Sequence, residues 1–175
     1  MPALATVPTA LGPFTALVDD EGAVLASGWT DDADALLALV HPELRPSDPA
    51  RRTELGDVTA AVAAYHDGDP TPATSTPVRQ RGGAATSAIW EQLRAVPPGA
   101  PTTYGELAAA AGHPRGHRIA ARACITNAAT LFVPCHRVLR RGGALGGYRW
   151  GLEVKEQLLA LEASWRVDDA ALSGV

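Results

Sequence analysis

Apolar residues in the first half of the chain form short runs typical of strands and longer stretches with helical spacing. The segment PFTALVDDEGAVLASGW holds two apolar runs around Asp-Asp-Glu-Gly, which predicts a β-hairpin. DADALLALV and TELGDVTAAVAAYH follow Asp or Thr starts with helical spacing, which predicts two helices. Residues 67–83, DGDPTPATSTPVRQRGG, are rich in Pro, Thr and Gly and predict a linker or a loose strand. We therefore expect a small N-terminal α/β domain over residues 1–83.

Helical spacing dominates the second half of the chain. TSAIWEQLRAV and LEVKEQLLALEAS each place apolar residues on one helical face. Between them, TYGELAAAAG predicts a short helix that ends at Gly112, and GHRIAARACITN predicts a second helix after a tight turn. Two short helices joined in this way are typical of a helix-turn-helix. We expect a mainly helical C-terminal domain over residues 84–165 and a loosely ordered tail over residues 166–175.

One non-helical segment interrupts this C-terminal domain. TLFVP is a short apolar run that predicts a strand stopped by Pro134, and Cys135 and His136 follow directly. RRGGALGGY then predicts a glycine-rich turn or flexible loop. The fold class is therefore α/β in the α+β sense, with a hairpin-and-helix N-terminal domain and a helical C-terminal domain that carries a Pro-Cys-His-Arg strand or turn.

Charge is distributed unevenly along the chain. The formal net charge is −4, which by itself argues against a nucleic-acid partner. Residues 107–152, however, hold seven arginines and no Asp or Glu, so all nineteen acidic residues lie elsewhere. Such a stretch favours an anionic partner bound at one face, with a chance cluster of solvated arginines as the alternative. Arg118 and Arg122 lie one turn apart on the second helix of the helix-turn-helix, as a DNA-recognition helix requires.

The two cysteines are too few for a disulfide framework and favour an intracellular location. Cys124, mid-helix between alanine and isoleucine, is expected to be a small buried apolar residue. Cys135 stands at a turn beside His136, near several arginines, and such surroundings lower a thiol pKa and favour a nucleophilic thiolate. Glu162 is a candidate to orient His136, although its spacing on the last helix favours an edge position. These residues alone fit a hydrolase, a thiol transferase or an alkyl acceptor.

The motifs PCHRV, GYRWG and KEQLLALE resemble the active-site segment of the methylated-DNA–protein-cysteine alkyltransferases, which repair O6-alkylguanine. The likeness covers residues 86–162 without gaps, and the YRWG variant is similar to the adaptive-response bacterial members. The N-terminal domain is similar only in outline, through LGPFTALVDDEG. The resemblance implies a single, irreversible transfer of the alkyl group from a flipped guanine in double-stranded DNA, with no metal and no cofactor.

The resemblance also implies roles for individual residues. Cys135 would accept the alkyl group. His136 would link Cys135, through water, to Glu162 and would receive the proton. Asn127 would hold the active-site turn through its side chain. Tyr104 would face the 3′ phosphate and the base, and would donate a proton to the leaving guanine.

The implied DNA contacts lie on the helix-turn-helix, which in this family enters the minor groove. Arg118 would fill the gap left by the flipped nucleotide, whereas a local deletion in the alignment would give that role to Arg122. Small side chains on the second helix would allow close approach to a narrow groove. The expected DNA-contacting set is Tyr104, Arg118, Ala120, Ala121, Arg122 and Arg137.

The chain departs from the family pattern at positions that bear on the pocket. Ala84 stands where an aromatic residue is usual, and Ala128 replaces the proline of a common Asn-Pro pair, which loosens the active-site turn. Arg149 and Trp150 replace small residues in the loop that covers the pocket. Trp150 is therefore expected to narrow the pocket and to disfavour bulky adducts such as O6-benzylguanine. The expected pocket set is Pro134, Arg149, Trp150 and Gly151.

Three other functions compete with this one. A non-catalytic sensor would bind alkylguanine, but relatives of that kind lack the cysteine. A Cys-His thiol enzyme would leave the acid-free stretch unexplained, and a plain DNA-binding regulator would make Cys135 structural. No apolar run is long enough to span a membrane, and the N-terminus lacks the character of a signal peptide. We expect a cytoplasmic, nucleoid-associated monomer.

Overall fold

The computed structural model describes the backbone of residues 1–172 and the side chains of residues 1–165. A four-stranded sheet with the order β3-β2-β1-β4 forms the N-terminal part. Its strands are β1 (Ala3–Thr9), β2 (Gly12–Val18), β3 (Val24–Gly28) and β4 (Ala50–Arg52). The β1–β2 and β2–β3 pairs are antiparallel, and β4 runs parallel to β1.

The hairpin predicted around Asp-Asp-Glu-Gly is confirmed as β2 and β3. Both predicted N-terminal helices also form, as α1 (Ala33–Leu39) and α2 (Asp57–His66). The Asp32 carboxylate caps α1 by accepting a hydrogen bond from the Ala35 N–H. The apolar pattern did not reveal β1, whose run is interrupted by Pro8. In the structure Pro8 lies at the hairpin end of the ladder, where a proline disturbs few strand hydrogen bonds.

The Pro-, Thr- and Gly-rich segment 67–83 is more ordered than the expected linker. It contains a short helix, α3 (Thr71–Ser75), which buries Ala73 in the core. Beyond α3, Val78 forms a parallel bridge with Val24 of β3. This bridge agrees with the loose strand that was predicted as the alternative to a linker. The linker prediction was therefore wrong over α3, because composition does not show that Ala73 has a hydrophobic surface to pack on.

The predicted helices of the second half are present. They are α4 (Ala84–Ala95), α5 (Tyr104–Ala110) and α6 (His117–Thr126). Thr103 and Glu106 form a capping box at the start of α5, and Gly112 takes a positive φ of 87° just after its end. The α5–α6 pair is thus the predicted helix-turn-helix.

The segment TLFVP does not form the predicted strand. Thr130 to Val133 make a tight turn in which Leu131 has a positive φ of 78°. A single 3₁₀ turn, Cys135–Arg137, follows Pro134, and only then does a two-residue strand, β6 (Val138–Leu139), pair with β5 (Thr102–Thr103). Side-chain hydrogen bonds rather than a strand ladder hold the turn, and an apolar run cannot reveal such bonds.

The last helix, α7 (Leu152–Leu172), is longer than predicted. It continues past Ser164 into the segment expected to be a loose tail, so the expected end of the helix was wrong. Trp165 explains part of the extension, because its ring packs edge-on against Tyr65 at a centroid distance of 5.2 Å. The final predicted tail residues, 173–175, lie outside the described residues.

One hydrophobic core joins the two halves of the chain. Phe14 of β2, Tyr65 of α2, Trp90 of α4 and Leu158 of α7 belong to the same buried cluster. Strand β3 also reaches the turn that precedes Cys135: the Ser27 hydroxyl donates to the Thr130 carbonyl at 2.8 Å. The N-terminal sheet therefore supports this turn directly. In the described part of the chain, no helix has the length and apolar character needed to cross a membrane.

Candidate active site

Cys135 lies at the wall of a cavity of about 550 Å³. The cavity is bounded by the start of α5, one face of α6, the turn before Cys135 and the glycine-rich loop that follows. Its lining includes Tyr104, Ala121, Cys124, Asn127, Arg149 and Trp150. A mainly apolar recess with a few polar groups is what a small group attached to a planar base requires.

Asn127 holds the turn beside Cys135. Its amide donates to the Val133 carbonyl at 2.8 Å, and its side-chain oxygen accepts from the Ala129 N–H at 3.1 Å. The Gln80 amide donates to the same oxygen at 2.9 Å. Asn127 is buried, and these bonds pair its polar atoms and anchor the turn before Cys135.

A buried polar network lies behind Cys135. His136 Nε2 is 2.7 Å from Glu162 Oε1, and Arg137 donates to both carboxylate oxygens from Nε at 3.0 Å. Tyr65 of α2 donates to Glu162 Oε1 at 2.8 Å. His136, Glu162 and Tyr65 are fully buried. The edge position that spacing favoured for Glu162 is therefore wrong: the carboxylate is central, because Arg137 neutralises it and three side chains donate to it.

The network fixes protonation states. Burial opposes the charge on Glu162, but His136 and Arg137 overcome it and hold the Glu162 pKa at about 2. Burial lowers the pKa of His136, although Glu162 opposes that shift. Since an ionised carboxylate only accepts hydrogen bonds, His136 Nε2 carries the proton. His136 Nδ1 is buried without a partner among the described residues and is free to accept a proton.

Burial raises the pKa of the Cys135 thiol, while Asn127, Lys155 and Arg149 lower it in part. The expectation that His136 and the nearby arginines lower the thiol pKa is therefore wrong for the free protein. The free protein therefore holds Cys135 as a thiol and His136 as a neutral imidazole at neutral pH. Burial also raises the pKa of Cys124, which keeps that second thiol in the cavity protonated.

Two residues of the expected DNA-contacting set do not face solvent. Arg137 is 4% exposed, and its guanidinium binds Glu162 and the Val96 carbonyl. Ala120 is fully buried in the core on the inner face of α6. Both expectations were wrong, because sequence position near Cys135 or on α6 does not say which way a side chain points.

The remaining members of that set lie where a DNA contact is possible. Arg118 and Arg122 are exposed on α6, and Ala121 lines the Cys135 cavity one face away. Tyr104 begins α5 with its hydroxyl close to Gly146, where an added Cβ would come within 2.5 Å of it. Burial raises the pKa of Tyr104, so its hydroxyl stays protonated.

The expected pocket set divides in a similar way. Arg149 and Trp150 line the cavity, whereas Pro134 and Gly151 do not. Arg149 donates to the carbonyls of Asn127, at 2.9 Å, and Ile125, so it caps the C-terminal end of α6. Trp150 lies against Gly28 of β3, and its Nε1 donates to Thr130 Oγ1 at 2.8 Å. Both side chains tie the loop to the rest of the site.

Sequence reasoning missed two buried polar residues near Cys135. Lys155 of α7 is fully buried and donates from Nζ to the Val138 carbonyl at 2.7 Å. Its place one turn before Leu158, on the buried face of α7, could have revealed it. Tyr65 lies 97 residues before Glu162 in the chain, and no local signal could have linked the two.

The site has the donors for proton transfer but not for a metal. No cluster of three or more His, Cys, Asp or Glu side chains within residues 1–165 could hold a metal ion. The chemistry that these groups can perform is nucleophilic attack by Cys135, with His136 as the base and Glu162 as its partner.

The sequence model described as the 6-O-methylguanine DNA methyltransferase DNA-binding domain matches residues 84–164. The regulatory protein Ada of Salmonella typhimurium is 43% identical over 136 residues, which are 76% of this chain and 38% of Ada. The methylated-DNA–protein-cysteine methyltransferase of the same organism is 32% identical over 158 residues, which are 89% of this chain and 92% of that protein.

A solved structure shows the same architecture. The O6-methylguanine methyltransferase of Mycobacterium tuberculosis superposes with a TM-score of 0.75 at 25% identity, covering 94% of each chain. The chain spans about two fifths of the length of the Ada relatives, at 38% and 42%, and nearly all of the single-function methyltransferase.

The fold, with a helix-turn-helix beside the cavity that Cys135 lines, defines a DNA-binding protein with a cysteine in its candidate site. Residues 84–164 supply the DNA-binding domain. The chain belongs to the methylated-DNA–protein-cysteine methyltransferase family of DNA-repair enzymes.

Proposed function

We propose that this chain repairs alkylated double-stranded DNA by moving the alkyl group from O6 of guanine to Sγ of Cys135. The observation that carries the proposal is the position of Cys135: its thiol borders a cavity beside α6, and the next residue in the chain, His136, is hydrogen-bonded to the buried Glu162. The relatives named as methylated-DNA–protein-cysteine methyltransferases support the same reaction.

The proposed reaction is a displacement at the alkyl carbon. The Cys135 proton passes through water to His136, whose Nδ1 has no other partner among the described residues, and the thiolate attacks the carbon bonded to O6. A sulfur–carbon bond forms, the carbon–oxygen bond breaks, and the electron pair goes to the guanine. Tyr104 donates a proton to the leaving guanine, and the proton that His136 took up returns to the Tyr104 oxygen through solvent. The product is a thioether that water does not hydrolyse readily, so each molecule acts once.

The target base must leave the helix, because a duplex shields O6 from a protein thiol. Arg118 is the proposed residue that occupies the space left in the base stack. Its location supports this choice over Arg122, because Arg122 borders a separate groove between α6 and the N-terminal part and Arg118 does not. Arg122 is then free to contact a phosphate.

The proposed adduct range is narrow. Trp150 forms one wall of the cavity and is held there by Thr130 and Gly28, so it cannot easily move aside. We expect O6-methylguanine in DNA to react faster than free O6-benzylguanine. Competition between the two substrates measures this, and efficient benzyl transfer would contradict it.

The remaining features are proposals of the same kind. The chain acts as a monomer on DNA, in the cytoplasm and associated with the nucleoid. Its N-terminal domain covers residues 1–83 and its alkyl-accepting domain residues 84–165. Analytical ultracentrifugation of the free protein and of its DNA complex tests the monomer.

The proposed function is tested by intact-protein mass spectrometry after mixing with a duplex that carries one O6-methylguanine. We expect a gain of one methylene mass, one equivalent only, mapped to Cys135. Cys135→Ala should show no gain. Cys124→Ala is the matched control: it removes the other thiol of the cavity, which stays protonated in the wild-type protein, and it should still gain one methyl group at Cys135.

The other outcomes separate the competing functions. Tight lesion binding without a mass gain in the wild-type protein would contradict transfer and favour a sensor. Neither gain nor binding would favour a Cys-His protein that acts on another substrate.

A further inference from the structure

We propose that Tyr65, from α2 of the N-terminal part, is a positioning residue for alkyl transfer that acts through Glu162. This inference rests on the proposed function, since it concerns the rate of the same reaction. It gives the N-terminal part a direct share in the active site.

Tyr65 contacts two members of the proton-transfer network. Its hydroxyl donates to Glu162 Oε1 at 2.8 Å, and the same oxygen lies 2.7 Å from His136 Nε2. The Tyr65 and His136 rings also meet edge to face, with centroids 6.4 Å apart. Tyr65 therefore sets both the direction of the carboxylate and the space in which the imidazole lies.

The two carboxylate oxygens of Glu162 have different hydrogen-bond partners. Arg137 donates to both, but only Oε1 accepts from Tyr65 and His136. The Tyr65 hydroxyl keeps Oε1 turned toward His136 and takes up part of its negative charge. Strong burial raises the Tyr65 pKa, so this hydroxyl remains a donor throughout the working pH range.

The Tyr65 ring is itself held firmly. It packs edge to face against His66 at 5.5 Å and against Trp165 of α7 at 5.2 Å. Replacement by phenylalanine removes one oxygen and keeps these ring contacts. The hydroxyl can therefore be tested with little change in packing.

The direction of the pH effect follows from charge. Without the Tyr65 hydroxyl, more of the negative charge of the Glu162 carboxylate acts on His136. This charge stabilises the imidazolium form and raises the pKa of His136. The charged and titratable groups that act on His136 from the surrounding elements are Glu162, Arg137, Lys155 and Tyr65. The other three remain in Tyr65→Phe, so a shift would belong to the hydroxyl.

The experiment is the single-turnover rate of methyl transfer from an O6-methylguanine duplex, measured against pH at saturating protein. We expect Tyr65→Phe to slow the plateau rate roughly ten-fold, the scale of a lost hydrogen bond to a charged group. Because a protonated His136 cannot accept the thiol proton, the loss of activity toward acid pH should also move to higher pH. The dissociation constant for DNA should not change.

Two further variants make the result specific. Trp165→Phe disturbs the packing of Tyr65 but keeps the hydroxyl, so it should keep the wild-type pH midpoint. In a Glu162→Gln background, Tyr65→Phe should have little additional effect, because the two changes then remove the same contact. A third measurement needs no variant at Tyr65: the wild-type protein should show a slowly exchanging hydroxyl proton close to the His136 ring.

The outcomes distinguish this proposal from the function on which it rests. A wild-type protein that accepts no methyl group would overturn the proposed function itself. If the wild type reacts, an unchanged rate and pH midpoint in Tyr65→Phe would overturn the positioning role. A rate loss that is equal at every pH and additive with Glu162→Gln would also overturn it, because Tyr65 would then serve only stability.

Discussion

Single residues at this site owe their properties to burial more than to their neighbours in sequence. Burial raises the pKa of Cys135 and lowers that of His136, so the resting pair is neutral. Glu162 stays ionised only because Arg137 and His136 overcome the effect of burial. The proposed reaction would therefore begin with proton transfer to His136, because the free protein holds Cys135 as a thiol.

Arg137 is the residue whose replacement best separates structure from DNA contact. We expect Arg137→Met to destabilise folding by about 3 kcal/mol or more, because it leaves a buried carboxylate without its cation. DNA affinity and its salt dependence should not change, since the guanidinium faces Glu162 and not solvent. Urea unfolding and salt titrations of DNA binding measure the two effects. A clear fall in the salt dependence would place Arg137 at the DNA after all.

Stability should fall in two stages as pH falls. The His136 pKa is depressed below its ordinary 6.5, so the unfolded chain binds that proton first and stability declines below pH 6.5. The Glu162 pKa falls from 4.5 to about 2, so its contribution is present above 4.5 and is lost between 4.5 and 2. Urea midpoints across this range measure both stages, and His136→Gln should lack the first. A wild-type stability that is flat from pH 7 to 5 would contradict the His136 assignment.

Among the helices, α6 has one face in the core and one face in solvent. Ala120 and Ala123 pack into the core, while Arg118 and Arg122 face solvent. Arg149 caps the C-terminal end of α6 from the pocket loop. The helix, the loop and the turn before Cys135 therefore form one connected surface around the cavity.

The two exposed arginines of α6 should differ when each is replaced by alanine. Arg118→Ala should slow transfer from duplex DNA roughly ten- to hundred-fold, because the few kcal/mol needed to extrude a base are no longer offset. The rate with a single-stranded substrate should change much less. Arg122→Ala should mainly weaken binding and lower the salt slope by about one. Single-turnover kinetics on duplex and single-stranded substrates measure the difference between the two variants. If Arg122→Ala slowed duplex transfer and Arg118→Ala only weakened binding, the intercalating role would belong to Arg122.

At the scale of the whole molecule, the N-terminal part belongs to the active site. Ser27 of β3 binds the turn before Cys135, Trp150 rests on Gly28, and Tyr65 binds Glu162. The shared core ties these contacts together. The acidic N-terminal part therefore holds residues of the candidate site in place, although its sequence carries no motif for that role.

Ser27 tests this dependence. Ser27→Ala leaves the buried Thr130 carbonyl without the hydroxyl at 2.8 Å, so we expect a loss of about 1–3 kcal/mol in unfolding free energy. Unfolding should remain a single transition, because both halves share the core. Circular dichroism and tryptophan fluorescence should give coincident curves. Two separate transitions would show that the halves fold independently.

The hairpin, the helix-turn-helix and the cysteine motif could all be predicted from the amino-acid chain alone. Each depends on local chemistry: turn residues at Asp-Asp-Glu-Gly, a cap at Gly112, and neighbouring side chains at Cys135 and His136. Only the tertiary structure decided that Glu162 is central, that Arg137 and Ala120 face inward, and that Tyr65 joins the site. The physical reason is distance along the chain. Burial and hydrogen bonds between residues as far apart as 97 positions set these roles, and no local pattern records them.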